Sequence, residues 1–104
     1  MKNRMRPIHP GEILREEYLV PLGMSANALA TALHVPANRI SGIVAGKRSV
    51  TADTALRLAR AFGSTPDFWL NLQQQYDLRL AETTAKGIKT IRPMLPAKKP
   101  IAAE

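Results

Sequence analysis

The chain has 104 residues, 45% of them hydrophobic, which is enough for one compact core and too few for several domains. Fifteen Lys and Arg against eight Asp and Glu leave a formal charge of +7, a balance that favours polyanionic partners. No apolar run is long enough to cross a bilayer, the start MKNRMRPIHPGE lacks the apolar stretch of a signal peptide, and zero cysteines exclude disulfides and thiolate metal sites, so the expected location is cytoplasmic.

Helical signals follow one another along the chain and predict an all-α fold of five helices. Pro10 fits a first helical position and Glu12 places a carboxylate among the free N–H groups of that turn. Helix 1 is expected from about Pro10 to Val20, with Ile13, Leu14 and Tyr18 inward, and with Pro21 and Gly23 as its stop. Ser25 can cap helix 2, whose Leu29 and Leu33 lie one turn apart on the buried side. Helix 3 is expected over roughly Ala37 to Ala45. Its inner stripe is Ile40, Ile43 and Val44, and Gly46 ends it.

Thr51 caps helix 4, where Ala55, Leu58, Ala59 and Phe62 repeat the helical spacing before Gly63. Thr65, Pro66 and Asp67 supply a cap, a first-position proline and an N-terminal acid for helix 5, expected to run to about Lys86. Phe68, Trp69, Leu72, Tyr76 and Leu80 lie along it. Trp69 with Leu72 and Tyr76 reads first as the stripe that closes the core, or else as part of a patch facing a partner; both readings hold together if Phe68 lies inside and Trp69 at the edge. The expected organisation is a basic arm over 1–9, a helical domain over 10–86 and a Pro/Lys-rich tail over 87–104. Within that tail, Ile88 to Leu95 suit either a short strand or extended arm, or a floppy basic tail, and residues from Pro96 on have the composition of a disordered segment.

Helices 2 and 3 form a helix-turn-helix, a unit that carries its second helix into the DNA major groove. No acid occurs from Tyr18 through Ala52, whereas Glu12, Glu16 and Glu17 lie in helix 1 and Asp67, Asp77 and Glu82 in helix 5. Phosphates would be repelled by carboxylates on a groove-facing surface. The first residues of helix 3 are the ones that reach base edges, so Ala37, Asn38 and Arg39 are the expected readers, with Ser41 and Gly42 a turn further on. Arg39 can hold guanine bidentately, Asn38 suits adenine, and Ala37 offers a methyl to thymine. Gly42 either lets the helix approach closely or relieves crowding.

Lys47 and Arg48 after Gly46, with Ser25 and Asn27 at the start of helix 2, are the expected phosphate contacts. The alternative for Lys47 and Arg48 is a solvated loop pair; Arg57 and Arg60 are assigned to a solvated or dimer-facing surface. Two positions depart from the common motif. His34 stands where glycine serves a left-handed backbone, and Pro36 stands at the capping position of helix 3 without a side-chain acceptor.

Nothing points to an enzyme, a metal or a cofactor. His9 and His34 have no Cys, His or carboxylate at ligand spacing, the Glu12, Glu16 and Glu17 group suits an exposed helix face, and no Gly-rich phosphate loop or nucleophile elbow occurs.

HPGEIL at 9–14, VPANRISGIVAGKRSVT at 35–51, ALRLARAFGSTPDFWLNLQ at 55–73 and YDLRLAE at 76–82 resemble the HigA-type antitoxins, a branch of the lambda-repressor-like (XRE) helix-turn-helix proteins. The resemblance covers about residues 7–85. GKRSVT alone would indicate only the wider superfamily; HPGEIL together with STPDFWLNLQ points to the antitoxin branch. It implies a homodimer that binds operator DNA, represses its own toxin–antitoxin operon and neutralises a HigB-type toxin, an mRNA-cleaving ribonuclease. It implies neither a membrane nor a small-molecule substrate. Two other readings remain open from the residues: a stand-alone repressor with no toxin, and a helical protein-interaction module that does not bind DNA.

Overall fold

Capping side chains set where the helices begin. In the computed structural model, which describes residues 6–95, Ser25 Oγ accepts the Ala28 N–H at 3.0 Å, Thr51 Oγ1 accepts that of Thr54 at 3.4 Å, and Thr65 Oγ1 accepts that of Phe68 at 3.1 Å. Each such cap contributes about 1 kcal/mol. They open α2 (Ala26–Leu33), α4 (Ala52–Phe62) and α5 (Pro66–Thr84); α3 (Ala37–Val44) begins after Pro36, which makes no side-chain cap. A fifth helix, α1, covers 10–22, and His9 caps it: its Nδ1 accepts the Gly11 N–H at 2.9 Å.

The expected stop of α1 at Pro21 does not occur. The helix is α-helical over Pro10–Ile13, takes an i→i+5 π register over Leu14–Leu19 and ends with the turn Val20–Leu22, closed by Gly23 at φ 63°. A proline in a regular α-helix would drive its ring against the carbonyl four residues earlier, here that of Glu17. The wider turn, in which the Val20 N–H reaches the Arg15 carbonyl, precedes Pro21 and relieves that clash. Leu14 and Leu19, five residues apart, are therefore both buried, while Ile13 and Tyr18 are half-buried.

The core joins Leu14 and Leu19 of α1, Leu29, Ala30 and Leu33 of α2, Ile40 and Ile43 of α3, Val50, Ala55 and Leu58 around α4, and Trp69 of α5. Each large aliphatic side chain removed from water contributes about 1.5–3 kcal/mol. On α5 the expected stripe through Trp69, Leu72 and Tyr76 does face the core, but the placement of Phe68 inside and Trp69 at the edge is reversed. Trp69 is fully buried and donates its indole N–H to Ser64 Oγ at 3.1 Å, and Phe68 is the exposed partner, crossing it edge-on with ring centroids 5.0 Å apart. The inward line is Trp69 and Gln73, one turn apart, with Tyr76 half-buried beyond them and Leu80 exposed. α5 stops at Thr84, two residues before the expected end, and Ile88–Thr90 forms a single 3-10 turn followed by exposed irregular chain to residue 95 rather than a strand. Residues 1–5 of the N-terminal arm, and the segment from Pro96 expected to be disordered, lie outside the described residues.

Candidate nucleic-acid interface

α2 and α3 are joined by a three-residue turn whose first member is His34, at φ 62° and ψ 45°. It is the one non-glycine with positive φ among the described residues, as its position in the motif predicts. Its N–H and that of Val35 close the end of α2 on the Thr31 and Ala30 carbonyls, at 3.1 and 3.0 Å. The left-handed turn reverses the chain so that α3 packs across α2 through Ile40 and Ile43, both at 0% exposure. That buried stripe fixes which side of α3 faces out.

Ala37, Asn38 and Ser41 are exposed on that outward side. Lys47 and Arg48 are exposed where the chain leaves α3, and both of their backbone N–H groups bond to the Gly42 carbonyl, at 2.8 and 3.1 Å. Gly42 itself is half-buried. A Cβ there would lie 2.7 and 2.8 Å from Arg48 Cδ and Cγ, so its missing side chain makes room for the Arg48 stem. Of its two readings, relief of crowding is the one the geometry favours. Ser25 and Asn27 are exposed in the first turn of α2; because Ser25 Oγ accepts the Ala28 N–H, its own hydroxyl proton stays available to an acceptor such as a phosphate oxygen.

Arg39 differs from its neighbours. Its guanidinium turns along the surface to α4, where Nη1 pairs with Asp53 Oδ2. The same oxygen accepts from Arg57 Nε at 2.9 Å, and Arg57 Nη1 reaches the Leu33 carbonyl at 2.9 Å. Arg57 thus links α4 to the end of α2 while its side chain remains 38% exposed. Arg57 first, and Arg39 second, hold the Asp53 carboxyl below its ordinary pKa, so it is a carboxylate at neutral pH.

The helix-turn-helix family model matches residues 14–69, more than half of the chain. Virulence-associated protein I of Dichelobacter nodosus is 58% identical over 93 residues, 89% of this chain and 86% of that protein. Antitoxin HigA-1 of Vibrio cholerae is 44% identical over 77 residues, 74% of this chain and 72% of that protein. A solved structure of the Pseudomonas aeruginosa antitoxin HigA with the higBA promoter superposes with a TM-score of 0.81 at 46% identity, covering 86% of this chain and all of that one. The chain belongs to the HigA antitoxin family of helix-turn-helix proteins.

Three residues of this HigA-family chain hold the candidate interface in place without standing out in the sequence. Gly11 of the HPGEIL motif is buried, and a Cβ on it would lie 1.8 Å from the Ile43 carbonyl oxygen, so α1 docks backbone to backbone on the end of α3. Gln73, buried on α5, accepts the Val50 N–H at 2.8 Å through Oε1 and donates to Asp77 Oδ1 at 2.9 Å, pinning the chain just after Lys47 and Arg48. Asp53 is the first residue past the acid-free stretch and reaches back to Arg39 across 14 positions. His9 adds a fourth tie. Its ring meets Tyr76 edge-on at 4.8 Å, and burial lowers its pKa against the pull of the Arg48 backbone and the Asp77 charge. The signals available were a glycine after a helix-opening proline, a glutamine on an apolar helix line and an acid at a helix start. None of them names its partner.

Among the described residues no helix is long and apolar enough to cross a membrane, and no three His, Cys, Asp or Glu side chains gather where a metal ion could sit.

Proposed function

We propose that this chain is a DNA-binding antitoxin that represses its own operon and neutralises a HigB-type ribonuclease toxin in the cytoplasm. The observation that carries the DNA half is α3: a helix anchored by Ile40 and Ile43 presents Ala37, Asn38 and Ser41 outward, with Lys47 and Arg48 at its end. Such a helix fits the major groove, where Asn38 and Arg39 read base edges while Lys47, Arg48, Ser25 and Asn27 meet phosphates. One helix reads only a short half-site. The working unit is therefore a homodimer on a palindrome with half-sites about one helical turn, roughly 34–36 Å, apart. The antitoxin half is supported by membership of the HigA family and by the 44% identity to the Vibrio cholerae antitoxin HigA-1.

The test pairs the chain with the reading frame beside its gene. The neighbour expressed alone should arrest growth, co-expression of this chain should restore it, and the chain should shift the DNA upstream of the pair. Binding to that DNA with no rescue of any neighbour would reduce the assignment to a stand-alone repressor. Rescue without a shift would remove the DNA role.

A further inference from the structure

Arg39 lies on the outward side of the interface, yet its side chain is only 31% exposed because it is held by Asp53. A single carboxylate oxygen serves two guanidinium groups, and each element of the triad is anchored elsewhere. Asp53 sits in the first turn of α4, where the helix N-terminus favours a negative charge. Arg57, one turn on, fastens the triad to the Leu33 carbonyl at the end of α2. The carboxylate engages one Arg39 nitrogen, Nη1, and so leaves part of the guanidinium fork available to a base edge.

Resting on the DNA reading above, we propose that Asp53 is a specificity-determining positioning residue, holding the Arg39 guanidinium so that it reads a base instead of pairing freely with phosphate. An unrestrained arginine beside DNA finds a phosphate without regard to sequence. A tethered one has already lost the rotamer freedom that binding would otherwise remove, and it meets the groove in one orientation. Asp53 also places a negative charge beside a surface otherwise free of acids from residue 18 to residue 52. It therefore opposes sequence-independent binding while it supports sequence-dependent binding.

Those opposite effects make the test. Full-length wild-type chain is used to enrich a duplex from a random-sequence pool, and that duplex and a scrambled version are then titrated with wild type, Asp53→Asn and Asp53→Glu across a salt series. For Asp53→Asn, scrambled-duplex affinity should rise several-fold with a salt slope steeper by about one. The ratio of enriched to scrambled affinity should fall at least about fivefold, the lower end of what a bidentate base contact supplies. Asp53→Glu, which keeps the charge, should recover part of the ratio. Trp69 emission and the unfolding midpoint identify folded protein throughout. An unchanged ratio, or an equal loss on both duplexes, overturns the positioning role while leaving DNA binding intact. A pool that yields no enriched sequence overturns the DNA reading and this proposal with it.

Discussion

Replacing Gly11 with alanine should damage this protein far more than a one-carbon change ordinarily does. The added Cβ would lie 1.8 Å from the Ile43 carbonyl oxygen, 2.6 Å from its carbon and 3.0 Å from Val44 Cα. Ordinary contact begins near 3.4 Å, so α1 must recede from α3 by about 1.6 Å. The obstructing atoms are backbone within a helix and cannot rotate away. Receding strips contacts from Leu14 and Ile43, both at 0% exposure, and strains the His9 cap on the Gly11 N–H. Overpacking of this kind costs about 1–3 kcal/mol, and an unyielding neighbour puts Gly11→Ala at the upper end or beyond. For a domain of this size that lowers Tm by roughly 12–24 °C. Circular dichroism on heating, with Trp69 emission as a second probe, measures it. Gly23→Ala is the control, since Gly23 has nothing within 4 Å and only its φ of +63° to lose. It should cost about 1–2 kcal/mol. A Gly11→Ala protein within about 0.5 kcal/mol of wild type would refute the close-docking argument.

Three further outcomes follow from the same contacts. Gln73→Leu leaves the buried Val50 N–H without its acceptor and should cost about 1–3 kcal/mol in urea unfolding, with weaker DNA binding because the chain after Lys47 and Arg48 loses its tie. His34→Gly removes a left-handed histidine at φ 62° and should raise stability by up to about 1 kcal/mol, read as a rise in the urea midpoint. His9 has a folded pKa below its ordinary 6.5, so its contribution is fully present above pH 6.5. As pH falls through that value the unfolded chain takes up the proton first, and stability should decline until the folded ring is protonated. Unfolding midpoints compared with those of His9→Asn, a capping residue that does not titrate there, should separate below pH 6.5 and run parallel above it.

The helices were legible because their ends carry local chemistry. Ser25, Thr51 and Thr65 each bond an N–H three residues on, and Gly23, Gly46 and Gly63 take the left-handed conformations that end helices or begin the turns after them. The outward side of α3 was legible too, since the spacing of Ile40 and Ile43 fixes which of its residues are buried. What escaped depends on contacts between distant segments. A glycine that permits backbone docking looks like any glycine, and an aspartate at a helix start has a sufficient local explanation in the helix dipole. Phe68 and Trp69 were exchanged because Gln73 interrupts the apolar line of α5. That polar side chain sits inside only because the Val50 N–H needs it. The π register of α1 likewise lets the helix pass Pro21, where a proline alone predicts an end.

The central claim is that α3 reads a DNA sequence while the residues after it hold the backbone. Footprinting and salt-dependent binding of wild type, Arg39→Ala and Lys47→Ala on the DNA upstream of the operon test it most directly. Arg39→Ala should lose operator binding by the equivalent of about 1–3 kcal/mol, with protection relaxed at one base position per half-site, and keep its affinity for unrelated DNA. Lys47→Ala should weaken every sequence alike and lower the salt slope by about one. Unchanged binding by both variants would contradict the account.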